Sequence, residues 1–164
     1  MTEMTEKINA LRAALAAALA AGSALWGWYG ALALVWALCM ALDYLSGSAA
    51  ALRRGEWSSE RAREGLWHKA GTILAVVVAV LGDLLLGVLL HACGLAAPFR
   101  GVLLAPLVTA WYCLTELGSV VENAGKLGAP VPAWLRKLLR RGVEAVDDAG
   151  ETAAGGDAQD DDNV

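Results

Sequence analysis

The chain has 164 residues, of which 57% are hydrophobic and 18% are charged, and its mean hydropathy is +0.49. Water-soluble domains of this size are seldom so apolar. The apolar residues also form runs long enough to cross a bilayer, which takes about 20 residues. The composition excludes an ordinary soluble domain and predicts an all-α, polytopic transmembrane helical bundle.

The net charge of -4 hides an uneven distribution of charges. Seven of the 17 acidic residues fall within residues 147–164, where no basic residue occurs. The ten remaining acids and the 13 bases give the rest of the chain a charge of +3. A basic body suits contact with anionic lipid headgroups, and we find no nucleic-acid motif. The expected partners therefore include membrane lipids and exclude nucleic acid.

The first hydrophobic stretch, residues 13–42, is too long for one straight span. Its 30 uncharged residues would form a helix of about 45 Å, whereas the hydrocarbon core is about 30 Å thick. Glycines and aromatic residues cluster between Gly22 and Gly30, a composition suited to a bend at the membrane interface. We predict helices over about 8–23 and 30–45. The first either crosses the membrane or lies on its surface, so the bundle has three or four membrane helices.

Two further spans follow a polar segment. Residues 46–69 carry five basic residues and three acids and are predicted to be a connecting loop. Residues 70–91 and 101–122 are predicted to span the bilayer, and residues 92–100 to form the turn between them. The predicted transmembrane domain therefore covers residues 1–125.

The C-terminal part of the chain changes character after residue 125. A Gly/Pro break leads into a basic amphipathic helix, and the two together occupy residues 126–146. One face of this helix is apolar, which predicts a segment on the headgroup surface. The other is basic, with Arg136, Lys137, Arg140 and Arg141. Residues 147–164 are predicted to be a disordered acidic tail.

The distribution of lysine and arginine predicts the orientation. Residues 46–69 and 123–146 hold five basic residues each, whereas the loop between the last two spans holds only Arg100. Basic segments stay in the cytoplasm, so we predict a multi-pass protein with a cytoplasmic C-terminus. The weak basic bias of Lys7 and Arg12 favours four crossings.

Asp83 is the only charge in its predicted span. At steps of four residues it shares a stripe with small residues: Gly71, Ala75, Ala79 and Gly87. Small residues let helices approach closely, so we predict that Asp83 lies in a protein interface rather than in lipid. A hydrogen bond within one subunit, a role in assembly and a place in a water-filled pore all remain open.

A second polar stripe lies on the last predicted span, where Glu116, Ser119 and Asn123 point to one side of the helix. Glu116 is expected near the inner half of the membrane and Asp83 near the outer half, so the two acids should not pair. We expect Asp43, at the end of its span, to be neutralised by Arg53, Lys69 or Lys126. Both stripes are candidates for lining a pore or for oligomerisation.

Catalysis has little support in the sequence. His68 and His91 fall on opposite sides of the membrane in this topology, and no Ser/His/Asp set can be assembled. The three cysteines lack the spacing of a zinc site. We therefore predict no catalytic residue, no metal and no cofactor.

Polar and glycine motifs follow a recognisable order along the chain. They are Asp43, Gly47, Ser58, Ser59, Gly65 and Lys69, then Asp83 and Glu116, and finally Glu122, Asn123, Gly128, Pro130 and Pro132. From about Lys7 to Leu139 this order resembles the phage-lysis and toxin-secretion holins, the bacteriophage holin family. The chain departs from the family at Trp57, at Thr115 and in its acidic tail.

The resemblance implies a homo-oligomer in the host cytoplasmic membrane that opens lesions at a set time. An endolysin, or a toxin in some systems, would then leave the cell, and an antiholin is a further implied partner. Two other classes stay open: a small transporter or channel subunit that uses Asp83 and Glu116, and a membrane scaffold without a lumen. The absence of an inverted repeat in the sequence counts against the transporter.

Overall fold

The computed structural model describes residues 2–95 and 103–155. These residues form four helices and no strand: α1 (Thr2–Arg53), α2 (Ser59–Ala92), α3 (Leu104–Lys126) and α4 (Ala133–Ala153). Within this part of the chain, three segments are long and apolar enough to cross a membrane, Gly27–Arg53, Ser59–Ala92 and Leu104–Lys126. The prediction of an all-α bundle with transmembrane helices is confirmed.

α1 contains a local break inside the first hydrophobic stretch. Gly27 has a φ of +65°, a left-handed conformation that glycine adopts readily and other residues seldom do. Regular helical geometry is therefore interrupted there, and the first candidate span begins at this residue. The earlier part of α1 is not one of the three candidate spans, so its predicted relation to the membrane stays open.

The polar segment between α1 and α2 is mostly helical, and the prediction of a loop over residues 46–69 was wrong. α1 continues to Arg53 and α2 begins at Ser59. Gly55, with a φ of +68°, ends α1, and the hydroxyl of Ser58 caps α2 by accepting a hydrogen bond from the Arg61 amide at 3.2 Å. Polar residues continue a helix well once it has left the membrane, which explains the difference.

The end of α3 coincides with the predicted Gly/Pro break. Gly128 adopts a φ of +90°, and the Ala129 amide donates to the Ala124 carbonyl at 3.0 Å. These are the marks of a Schellman termination. Pro130 and Pro132 then prevent continuation of the helix.

α3 packs against the other three helices, whereas α1 and α2 contact each other little. α1 and α3 run parallel, because Tyr29 bonds Thr109 and Asp43 bonds Asn123, both pairs being 80 residues apart. α2 and α4 run antiparallel to α3. The core is formed by Trp36, Val76 and Cys113.

α4 differs from its prediction in length and in neighbours. It extends to Ala153, so residues 147–153 of the predicted disordered tail are helical, and residues 156–164 lie outside the described part. The helix folds back along α3. A Cβ atom at Gly142 would lie 3.2 Å from the Leu114 side chain, which shows how closely the two helices approach.

Candidate functional site

Lys69 joins the three membrane helices through two carboxylates. Its Nζ atom lies 2.6 Å from Oε2 of Glu116 on α3 and 2.9 Å from Oδ2 of Asp43 on α1. α2 positions this lysine because the residue lies on the face that holds Thr72 and Val76, both buried. Asp43 is therefore neutralised by Lys69, one of the three bases proposed from the sequence.

Asn123 extends the network toward the end of α3. Its Nδ2 atom donates to Oδ1 of Asp43 at 3.1 Å and to Oγ of Ser46 at 3.3 Å, and its Oδ1 atom accepts from Lys126 at 3.3 Å. A Cβ atom at Gly47 would lie 3.3 Å from Asn123 Nδ2. A side chain at position 47 would therefore press on the amide that holds Asp43.

Three charged side chains at the centre of this network are mostly buried. Side-chain exposures are 12% for Lys69, 8% for Glu116 and 21% for Asp43. Lys69 is the one positive charge that bonds the two carboxylates, whereas Lys126 is exposed and joins the network through Asn123. Buried charges persist only when they are paired and hydrogen-bonded. We call Asp43, Lys69, Glu116, Asn123 and Lys126 the polar network.

Asp83 lies at a second level of the bundle and caps α3. Its Oδ1 atom accepts hydrogen bonds from the Leu103 and Leu104 amides at 3.0 and 2.9 Å, and its Oδ2 atom accepts from the Ala105 amide at 2.8 Å. The next residue, Pro106, has no amide hydrogen. One carboxylate thus satisfies the free donors at the start of α3, where a negative charge also complements the helix dipole.

The two levels are well separated. Lys69 and Asp83 are 14 residues apart on α2, which corresponds to about 21 Å along the helix axis. Asp83 and Glu116 have different partners, as expected. The 7% exposure of Asp83 agrees with a place between helices of one chain; this contact neither tests nor replaces the predicted role in assembly.

The small-residue stripe around Asp83 is only partly used within the chain. Ala79 is buried, but a Cβ atom at Gly71 or Gly87 would meet nothing within 4 Å. The close approach instead occurs at Gly82, where a Cβ atom would lie 2.9 Å from Leu104 Cδ1. Gly71 and Ala75 line an apolar groove between α2, α3 and α4.

A polar cleft of about 490 Å³ opens between the end of α1 and the start of α2. Its lining includes the network residues Asp43, Lys69 and Asn123, and also Gly47, Ser58 and Gly65. Six residues picked out by their motif order in the sequence therefore surround one feature. Sequence analysis placed them in a span, a loop and another span, and it proposed only one contact among them, between Asp43 and Lys69, as one of three alternatives.

The other predicted residues lie around these features. Ser119 is half-buried on α3, and Ser59, Pro130 and Pro132 are exposed around the helix connections. Glu122 lines a groove between α3 and α4 with Arg136 and Arg140. The basic residues Arg136, Lys137, Arg140 and Arg141 are all exposed on α4. Among residues 2–95 and 103–155, no group of three or more His, Cys, Asp and Glu is placed to hold a metal ion.

Two contacts were missed from the sequence. The Asp83 cap could have been suspected, because Leu103 is a poor capping residue and Pro106 lies in the first turn of α3. The bond between Tyr29 and Thr109, 3.1 Å long, had no sequence signal, since both residues occur in apolar surroundings.

Three apolar helices joined by buried polar contacts define a multi-pass helical membrane protein. The family model of the bacteriophage holin family matches residues 20–141, or 122 of the 164 residues. The chain belongs to this family, which confirms the resemblance found in its motifs.

A curated relative is similar to this chain over 100 residues. The chain is 31% identical over 100 residues to an uncharacterised protein of Clostridium perfringens (strain 13 / Type A), and the alignment covers 61% of this chain and 66% of the relative. The chain thus spans just under two thirds of that relative's length. No solved structure matches the chain.

Proposed function

We propose that the protein acts as a holin of the host cytoplasmic membrane. It accumulates as a bundle, oligomerises, and at a set time opens lesions through which an endolysin, or a toxin, leaves the cytoplasm. An antiholin is a further partner of this proposal. The assignment of action rests on the family to which the chain belongs, and no residue is assigned a catalytic role.

The polar network is the structural observation that supports the proposal. Because Lys69, Glu116 and Asp43 satisfy one another within one chain, a single copy can keep these three charges away from the surrounding lipid. The same groups are available to water or to another copy if the helices separate. A protein that must first accumulate harmlessly and later open the membrane needs both states.

In the proposed orientation of the protein, the start of α2 and the linker before α4 lie in the cytoplasm. This follows from the two segments with five basic residues each. The polar cleft and its network then lie at the cytoplasmic side, and Asp83 lies toward the outer side.

A small channel or transporter subunit is the second candidate. The cleft favours it, because a water-accessible cavity of about 490 Å³ reaches the network residues Lys69 and Asp43. An ion could pass from that cleft only if the network opened. This candidate predicts ion-specific flux without release of a protein.

Induced expression in a bacterial host separates the two candidates. The test strain carries an endolysin that has no export signal, and the matched control carries the same endolysin with an inactivated catalytic residue. A holin should give abrupt loss of viability in both strains and abrupt lysis only with the active endolysin. Slow ion leakage with the endolysin retained in the cytoplasm would reject the holin and favour the channel.

A further inference from the structure

α4 and α3 form an antiparallel pair over most of the length of α4. A Cβ atom at Gly142 would contact Leu114, Leu139 and Gly118 line one groove between the two helices, and Gly150 and Leu107 line another. Because α3 is a candidate membrane span, α4 runs back beside a helix that crosses the bilayer.

Because α4 folds back along α3, its C-terminal end lies at a depth well inside the membrane. From Pro132 to Asp148 the helix advances about 24 Å, against a hydrocarbon core of about 30 Å. Asp147 and Glu151 line the same groove as Leu107 and Trp111, which lie in the first two turns of α3. The acidic end of α4 is therefore near the far half of the span.

Charged residues occur along the whole exposed side of α4, and the apolar residues Trp134 and Leu138 near its start are exposed as well. Its exposed charged residues are Arg136, Lys137, Arg140, Arg141, Glu144, Asp147, Asp148 and Glu151. Lipid chains cannot solvate such a surface. The exposed side of α2 is the opposite, with Leu84 and Val88 at 61% and 67% exposure, and it suits lipid. At the same depth in the membrane, the exposed side of α2 is therefore suited to hydrocarbon, whereas the charged side of α4 requires water.

We propose that α4 forms the water-facing wall of the lesion, with its apolar side held on α3 and its charged side toward the lumen. This inference rests on the proposed holin function and names the element that lines its opening. Before assembly, α4 has an alternative position on the cytoplasmic headgroup surface, where its charged side also avoids hydrocarbon. Assembly brings several α3–α4 pairs around a common aqueous space, where the folded-back position becomes favourable.

A cysteine pair tests whether α4 stays on α3 in the open state. The three native cysteines are replaced by alanine, Leu114→Cys and Gly142→Cys are introduced, and the full chain is reconstituted in phosphatidylethanolamine/phosphatidylglycerol vesicles that contain a fluorescent dextran. A short bismaleimide then links the pair. We expect efficient linkage and dextran release within about twofold of the unlinked protein. The matched control is Gly142→Cys alone with the same reagent.

Two results of this experiment would overturn the inference. Either no linkage in the vesicles, or linkage with dextran release reduced more than tenfold, shows that α4 does not remain on α3 in the open lesion. Absence of dextran release from the unmodified chain is a different result, because it contradicts the proposed function itself.

A distance measurement tests the position of α4 independently if the variant with the cysteine pair does not reconstitute in vesicles. Spin labels at Leu107→Cys and Asp148→Cys should lie less than about 20 Å apart in release-competent vesicles. If α4 lies on the cytoplasmic headgroups, residue 148 remains at that surface and residue 107 lies about 29 Å away across the bilayer. A distance distribution centred near or above that value would show that α4 does not form the wall of the lesion.

Discussion

The ammonium group of Lys69 lies 2.6 Å from a carboxylate oxygen of Glu116, and both side chains are almost shielded from solvent. This ion pair joins α2 to α3, while the second bond of Lys69, to Asp43, joins α2 to α1. Since α1 and α2 contact each other little, the bond from Lys69 to Asp43 is one of the few direct links between them.

Removing the lysine should destabilise the bundle strongly. In Lys69→Met, two carboxylates remain buried without their counter-charge, and loss of one partner of a buried pair costs about 3–5 kcal/mol. We expect a lower unfolding temperature in detergent and reduced accumulation in membranes. Arg63→Met, which removes an exposed base from the same helix, is the control and should behave like the parent.

A variant in which the three buried charges of the network are all neutral tests that explanation. Asp43→Asn, Lys69→Met and Glu116→Gln together leave no buried charge unpaired, so the triple variant should recover most of the stability lost in Lys69→Met. If the triple variant is less stable than the single one, the loss comes from packing and not from unpaired charge.

Asp83 should be needed for the start of α3. Asp83→Leu leaves three amides without acceptors, at about 1–3 kcal/mol for each unsatisfied group, and should accumulate poorly. Asp83→Asn keeps one acceptor oxygen and should lose about 1–2 kcal/mol. Thermal unfolding of the purified variants measures both losses, with Leu84→Ile on the exposed side of α2 as control.

The same asparagine variant reports on the charge itself. If normal amounts of Asp83→Asn reach the membrane and lysis timing is unchanged, the charge has no part in triggering and Asp83 is a cap only. A strong shift in timing at normal amounts would assign the charge a role beyond the cap.

Gly87 offers a test of assembly that spares the single chain. A Cβ atom there meets nothing within 4 Å, so Gly87→Leu should leave the unfolding temperature unchanged. If the small-residue stripe joins two copies, the same change should reduce chemically crosslinked oligomers in membranes several-fold. Unchanged oligomers would remove Gly87 from the proposed interface.

Labelling from outside intact cells tests the predicted orientation of the protein. In a chain whose native cysteines are replaced, a membrane-impermeant thiol reagent should modify Ala97→Cys and should not modify Ser59→Cys until the cells are broken. Labelling of Ser59→Cys alone in intact cells would invert the proposed topology. Both proteins must first be shown to accumulate equally.

Sequence reasoning identified the membrane helices because their apolar runs are long and carry few charges. It shortened them at their polar ends: residues 46–53 and 59–69 are helical, although their charges predicted a loop. Hydropathy marks where a helix is in lipid and not where its backbone hydrogen bonds stop. Helix ends depend on local groups such as Ser58 and Gly55.

The partners of the polar residues were harder to predict than the residues themselves. Asp83, Glu116 and Asn123 were all singled out, but the Asp83 partners are backbone amides, which leave no side-chain pattern. The Glu116 partner lies 47 residues away at the end of a long, flexible side chain. Such a contact depends on the register of α2 against α3, which one sequence does not specify.

The cap on α3 also bears on how the protein is made. α2 precedes α3 in the chain, so the ribosome completes Asp83 before Leu103, Leu104 and Ala105, whose amides donate to its carboxylate. Until they meet it, those donors have to stay near water, because hydrocarbon offers them no acceptor. We therefore expect stable insertion of α3 to depend on α2 lying beside it in the membrane.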